Sequence, residues 1–179
     1  MNNKFQRLYD LTKKFNTLSG AVNEVSEKSL IEQYTYIREE FMEMVDTFND
    51  DISIYSTAKP SLKVRMLEPL LDDCLDVVIT VFGMLQKLET LGVDVGEAAI
   101  ATAMNNLSKY SPSPVIAHQT CDNLLIEKGI HAEAKFNEEH NYYVIRNKTT
   151  MKVCKPLDFV SNDLSVFITD EVKENYDAR

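Results

Sequence analysis

The sequence is poor in the residues that build disulfide frameworks and zinc sites. Among 179 residues there is no tryptophan, and there are only three cysteines, five glycines and five prolines. Cys74, Cys121 and Cys154 are odd in number and widely spaced. This pattern excludes a disulfide-dense scaffold and lacks the paired spacing of a zinc or redox motif. We therefore expect reduced thiols and a cytoplasmic protein.

Long apolar runs and positive charge are also scarce. No run of 18 apolar residues occurs, and the N-terminus carries Lys4, Arg7 and Asp10 instead of the apolar core of a signal peptide, so no membrane association is expected. Lys and Arg total 19 against 28 Asp and Glu, a formal net charge of −9. Such a surface repels nucleic acid, which is not an expected partner. Bound divalent cations could still attract a small phosphate ligand.

What the sequence does contain is the spacing of amphipathic helices, in which apolar residues recur every three or four positions. This spacing predicts helices over about residues 4–15, 30–49, 62–91, 97–110 and 115–128. Two β-prone runs, 142–145 and 151–154, predict a hairpin.

The predicted fold is mainly α, a four-helix-bundle-like core with a small C-terminal β-hairpin. Residues 1–114 hold the helical core. Residues 115–179 hold the fifth helix, the hairpin at about 142–155 and a charged end, as part of the same domain. Residues 170–179, mostly charged, are expected to fray.

Two groups of acids lie on consecutive predicted helices. Glu39, Glu40 and Glu43 fall on the second helix, and Asp73 and Asp76 on the third. The i, i+3 spacing places Glu40 with Glu43, and Asp73 with Asp76, on one face of each helix beside apolar neighbours. Carboxylates at the border of a core favour a compensating cation. Because all the candidate ligands are hard oxygens, Mg²⁺ is the expected ion, with Mn²⁺ as the alternative.

Two other interpretations of these acids are a solvated helix face and a di-iron site. Acidic helix positions often form a solvated face, and either pair alone would favour that interpretation. A ferritin-like di-iron site would need a Glu-x-x-His motif. None of His118, His131 and His140 has a glutamate three residues before it.

A further polar pair lies near the end of the fourth predicted helix. Asn106 and Lys109 share a face by the same spacing, and an amide with an ammonium suits phosphate oxygens. The alternative is a polar helix end with a cation placed against the helix dipole.

These motifs resemble a known family. Glu39-Glu40-x-x-Glu43 followed by Asp73-x-x-Asp76 resembles the EExxE…ExxD signature of the all-α nucleoside triphosphate pyrophosphohydrolases, the MazG-like superfamily that includes dimeric dUTPases and phosphoribosyl-ATP pyrophosphohydrolases. Asp73 stands where the family usually has Glu. The segment Asn106-Leu107-Ser108-Lys109 is similar to the Asn-x-Ser-Lys of phage and bacterial members, and Lys152-Val153-Cys154-Lys155-Pro156 looks like their hairpin ending.

The resemblance implies a metal site and a reaction. Glu40, Glu43, Asp73 and Asp76 would hold one or more Mg²⁺ ions, and Glu39 would position ligands or the attacking water. Attack of that water on the α-phosphate would release pyrophosphate and a nucleoside monophosphate.

The resemblance also implies how the substrate is bound. Asn106 and Lys109 would grip the phosphates, and the N-terminal Phe15 and Asn16, or Tyr34, would contact the base. An amphipathic aromatic position is more often part of a core.

The same resemblance predicts a homo-oligomer, a dimer or a tetramer, in the cytoplasm of a prokaryote or a phage-infected cell. Two alternatives stay open. One is a pyrophosphohydrolase acting on phosphoribosyl-ATP or a signalling nucleotide, and the other is a non-catalytic helical module that binds nucleotide or protein.

Overall fold

The computed structural model describes residues 4–21, 25–50, 55 and 57–169. Its elements, in chain order, are α1 (Lys4–Leu18), α2 (Glu27–Asp50), α3 (Pro60–Thr90), α4 (Val95–Leu107), α5 (Pro114–Lys128), β1 (Ala132–Asn137), β2 (Tyr142–Asn147) and a 3-10 turn (Ser165–Phe167). The predicted mainly helical fold with a small hairpin near the C-terminus is confirmed. Residues 170–179, expected to fray, lie outside the described residues.

The chain forms two compact units. Among the described residues, the first unit holds those up to Val95 together with Ile168 and Thr169, and the second holds residues 96–167. The first unit is built from α1, α2 and α3, and the second from most of α4, α5 and the hairpin. No helix in the described part of the chain has the length and apolar character that a membrane span requires.

In the first unit, α2 and α3 lie side by side and run in opposite directions. The side-chain amide of Gln33 donates a 2.8 Å hydrogen bond to the backbone carbonyl of Thr80. Eleven residues further along α2, the Met44 sulfur accepts from the Cys74 thiol at 3.6 Å. Gly83 allows this close approach, because a Cβ at that position would lie 2.7 Å from Gln33 Nε2. These contacts determine which turn of α2 faces which turn of α3.

The first helix, α1, packs against the C-terminal half of α3. The ring of Tyr9 meets the ring of Phe82 edge-on at 5.2 Å, and the Lys13 ammonium lies 2.6 Å from a carboxylate oxygen of Glu89. Burial, and then the charge of Glu89, raise the pKa of Tyr9 to about 12. The helix itself was predicted, but the apolar residues Phe5, Leu11 and Phe15 of the predicted face remain exposed. The contacts with α3 come instead from Tyr9 and Lys13.

In the second unit, α5 packs on one face of the hairpin. The hydroxyl of Ser113 accepts a hydrogen bond from the Ile116 amide at 3.3 Å and caps the helix, which ends at Gly129 in the left-handed conformation at φ 63°. Ala117 on α5 and Ile145 on β2 are fully buried. They mark the core between the helix and the sheet.

The hairpin lies earlier in the chain than the sequence predicted. The run 142–145 belongs to β2, but its partner is β1, which pairs from Ala132↔Asn147 to Asn137↔Tyr142. The run 151–154, expected as the second strand, joins β2 only through an isolated bridge between Arg146 and Val153. The strand β1 was missed because alanine, glutamate and lysine, which fill most of it, are depleted in strands.

Candidate functional site

The candidate site lies on the facing sides of α2 and α3, where the predicted acids come together. Because the two helices are antiparallel, the order of the acids is reversed between them: Glu40 precedes Glu43 along α2, beside the part of α3 where Asp76 follows Asp73. The Met44–Cys74 contact adjoins this region, since each of its residues follows an acid in the chain. Tertiary packing therefore places the two predicted carboxylate pairs at the same height.

The electrostatics of Glu40 show how close these acids are. Burial raises the pKa of the half-buried Glu40 carboxyl above its ordinary value, and the negative charges of Glu43, Asp76, Glu39 and Asp73 raise it further, in that order. The five acids singled out in the sequence are thus Glu40 itself and the four residues whose charges raise its pKa. The arrangement favours either a proton on Glu40 or a cation among the five groups.

Asp73 gives the second observation that favours a cation beside these acids. Its Oδ2 oxygen is buried and has no hydrogen-bond partner. A buried carboxylate oxygen without a partner is costly, and proteins compensate such oxygens with a donor or a metal ion. Asp73 is also one of the four acids whose charge raises the pKa of Glu40.

The donor set fits a hard divalent cation. The five side chains offer carboxylate oxygens alone, which are the ligands that Mg²⁺ and Mn²⁺ prefer. Within the described residues, no three histidine, cysteine, aspartate or glutamate side chains already converge as a ready-made metal site. Binding would therefore require the exposed Glu43 and Asp76 to turn toward the oxygen of Asp73.

In metal-free buffer at neutral pH, Glu40→Gln should raise the melting temperature. A neutral amide removes the repulsion from the neighbouring carboxylates and the cost of burying a charge. A pKa raised in the folded state means that the unfolded chain releases this proton first, so stability falls as pH rises through the glutamate range. The advantage of glutamine should thus be present at neutral pH and vanish below the ordinary glutamate pKa of about 4.3.

Thermal unfolding in the presence of a chelator, at neutral and at acidic pH, measures this effect. Glu68→Gln, at an exposed position of the same unit, makes the same chemical change away from the cluster and serves as the control. A lower melting temperature for Glu40→Gln at neutral pH would show that the charged carboxylate stabilises the fold.

The predicted phosphate-binding pair lies in the second unit. Asn106 is in the last turn of α4, which ends at Leu107, and Lys109 follows in the turn. The Lys109 ammonium donates a 2.5 Å hydrogen bond to Asn106 Oδ1. This bond uses one ammonium proton and the amide oxygen. The two N–H groups of Asn106 and the other ammonium protons can then donate to phosphate oxygens.

The same unit holds an open cleft that the sequence did not single out. It has a volume of about 560 Å³ and is lined by Leu107, Tyr110, Asn137, His140, Tyr142, Val144 and Arg146. Its residues come from the end of α4, from the segment that follows it, and from both strands and the turn of the hairpin. No single stretch of sequence contains this combination, so only the fold reveals it.

Asn16 and Phe15, predicted to contact the base, lie on α1. The Asn16 amide donates a 2.7 Å hydrogen bond to Oε1 of Gln86, a side chain that is 1% exposed. Gln86 lies ten residues after Asp76 on α3, about 15 Å along the helix axis. Asn16 is thus engaged in joining α1 to α3, whereas Phe15 is exposed.

Replacing Asn16 with alanine should lower the free energy of unfolding by about 1–3 kcal/mol, because it leaves Gln86 Oε1 buried without a donor. The matched control is Phe15→Ala, which removes the exposed ring of the preceding residue and should change the free energy of unfolding by less than about 0.5 kcal/mol. Urea unfolding measures both. Unchanged stability of Asn16→Ala would mean that water replaces the lost donor. An increased KM of Phe15→Ala, with stability unchanged, would support its predicted contact with substrate.

Comparison with known proteins returned no match to a family model, to a curated protein or to a solved structure. The features of this chain that point to a function are therefore the acids around Glu40 and the motifs of its sequence.

Proposed function

We propose that this chain is a Mg²⁺-dependent nucleoside triphosphate pyrophosphohydrolase, which cleaves its substrate to the monophosphate and pyrophosphate. The observation that carries the proposal is the group of five carboxylates around Glu40, with the buried and unpartnered Oδ2 of Asp73 among them. This concentration of negative charge on two packed helices has the character of a cation site. The motif resemblance supplies the reaction.

Each acid has a distinct part in the proposed chemistry. Glu40, Glu43, Asp73 and Asp76 would hold the ion. A bound Mg²⁺ or Mn²⁺ would polarise the phosphate and acidify water. The exposed Glu39 accepts a hydrogen bond from the attacking water and orients it toward the α-phosphate. The protein thus contributes position and charge.

Phosphate binding is assigned to Asn106 and Lys109. Their mutual hydrogen bond holds the ammonium beside the amide, so both can donate to one phosphate group. In a chain with a formal net charge of −9, binding a triphosphate also requires bound cations, because the averaged surface field repels it. Metal and substrate should therefore bind interdependently.

A homo-oligomer, a dimer or tetramer, is part of the proposal. Large apolar side chains remain exposed along α2 and α3 of the single chain, namely Ile31, Tyr34, Phe41, Phe48, Leu67, Leu71 and Leu75. Two such helix pairs from two copies would cover each other and complete a four-helix core. Sedimentation equilibrium tests this, since a mass of 20.5 kDa, that of one chain, would contradict it.

The decisive assay measures pyrophosphate and phosphate released from a panel of nucleotides, with and without Mg²⁺. Pyrophosphate release that requires Mg²⁺ would support the proposal. Release from phosphoribosyl-ATP or a signalling nucleotide alone would identify the related activity. Metal binding without turnover of any substrate would favour a non-catalytic nucleotide-binding or protein-binding module.

The three free cysteines agree with a reducing compartment, and we propose the cytoplasm of a prokaryote or an infected cell.

A further inference from the structure

One edge of the hairpin is covered by its own chain. Tyr143 on β2 exchanges two backbone hydrogen bonds with Ser111, of 3.1 and 2.7 Å. Further along β2, Ile145 accepts from the Cys154 amide at 2.8 Å, and the Asn147 amide donates to Lys152 at 3.0 Å. The outer edge of β2 is therefore occupied.

The outer edge of β1 is free. Since Tyr143 directs its amide and carbonyl toward Ser111, its β1 partner Phe136 belongs to a pair without hydrogen bonds and directs its own groups outward. The same alternation points the backbone groups of Ala132 and Ala134 outward. Within the described residues these groups have no backbone partner. An edge with three donors and three acceptors can pair with another strand.

We propose that β1 pairs with β1 of a second copy of this chain, antiparallel and centred on Ala134. In this register Ala134 faces Ala134 of the other copy, and Ala132 faces Phe136. The outward amides and carbonyls then form six backbone hydrogen bonds across the two-fold axis. The proposal concerns the second unit and does not rest on the proposed function.

The charges of β1 select this register. Glu133 and Lys135 flank Ala134 on the solvent face of the strand, 3.7 Å apart and largely exposed. In the register centred on Ala134, each Glu133 faces Lys135 of the other copy, at the closely spaced positions that carry no hydrogen bonds. Moving the centre by one residue places Glu133 opposite itself or Lys135 opposite itself. Like charges directly opposite each other disfavour both alternatives.

The resulting sheet has four strands, and the two-fold axis is perpendicular to it. Both copies of α5 then lie on the same face, because each packs against its own hairpin on that face. Phe136, whose side chain is 48% exposed and contacts Tyr143 at a ring distance of 4.9 Å, would meet Ala132 of the other copy on the face that carries α5. The interface thus joins apolar contact on one face with paired charge on the other.

Charge reversal tests the register in the full-length chain. Glu133→Lys and Lys135→Glu each place like charges opposite each other twice, and each should weaken association by about tenfold in Kd. The double variant, and an equimolar mixture of the two single variants, place opposite charges together again and should recover association to within about threefold of the wild type. Sedimentation velocity over a range of concentrations measures Kd, and high salt should reduce the differences.

A backbone variant and hydrogen exchange locate the contact. Ala134→Pro removes an amide that faces the free edge and not β2, so the hairpin should persist while the association through β1 is lost. An association through α2 and α3 would remain in this variant. In the wild type at high concentration, the amides of Ala134 and Phe136 should exchange slowly, and dilution should speed them. Equal association of all variants, failure of the mixture and the double variant to recover, or fast exchange of these amides at all concentrations would overturn the proposal. An unchanged pyrophosphate assay in the variants would leave the proposed function standing by itself.

Discussion

Replacing Glu43 with glutamine, or Asp76 with asparagine, should remove nearly all metal-dependent pyrophosphate release while leaving the fold intact. Each change removes a ligand charge but keeps the volume and shape of the side chain. Because a bound metal contributes several kcal/mol of charge stabilisation in the transition state, we expect turnover to fall by at least about a hundredfold. Both side chains are exposed on their helices, so the amides should not disturb packing.

The matched control is Asp72→Asn, which makes the same change at the exposed neighbour of Asp73. Asp72 does not contribute to the raised pKa of Glu40, and its variant should keep wild-type turnover. Circular dichroism and initial rates over a range of Mg²⁺ concentrations make the comparison. Wild-type activity in Glu43→Gln or Asp76→Asn would remove these residues from the site, and a severe loss of helicity would show that they are structural.

Asp73 should govern the affinity for Mg²⁺. Asp73→Ala removes the buried oxygen that lacks a partner, and we expect metal affinity to fall by about tenfold or more. Asp73→Glu should preserve activity and tighten metal binding, because the longer arm of glutamate would reach an ion that the shorter aspartate would contact only through water. Mg²⁺ commonly retains several waters and binds at roughly 2.1 Å.

Activity titrated against Mg²⁺ for the wild type, Asp73→Glu and Asp73→Ala measures the effect. Calorimetric titration of the same three proteins with Mg²⁺ alone separates metal binding from catalysis. Identical metal dependence in all three would show that Asp73 is not a ligand. Loss of activity in Asp73→Glu with its helicity intact would indicate that the space around the buried oxygen does not accept another methylene.

Much of the helical architecture could be predicted from local patterns. Apolar residues at three- and four-residue intervals identified the helices to within a few residues, because this spacing places them on one side of a helix. The i, i+3 spacing likewise placed Glu40 with Glu43 and Asp73 with Asp76 on shared faces. Both inferences need only the geometry of a single helix.

The strand β1 could not be recognised from local patterns. Its residues Glu133, Ala134 and Lys135 have weak strand propensity, and what makes them a strand is pairing with β2 and packing under α5. The run 151–154 has a stronger strand propensity. However, Ser111 occupies part of the edge of β2, and the run forms only one isolated bridge with that strand. Partner availability, a property of the tertiary structure, outweighed propensity.

The sequence by itself determined the helices, the excess of negative charge and the carboxylate identity of the candidate ligands, since these follow from residue type and spacing. Only the tertiary structure decided that Glu40 lies at the centre of the acids, because that depends on the antiparallel packing of α2 on α3 through Gln33 and Gly83. It also decided that Asn16 binds Gln86 and that the outer edge of β1 is free. Contacts between residues far apart in the chain have no local signature, so their consequences appear only when the elements are packed.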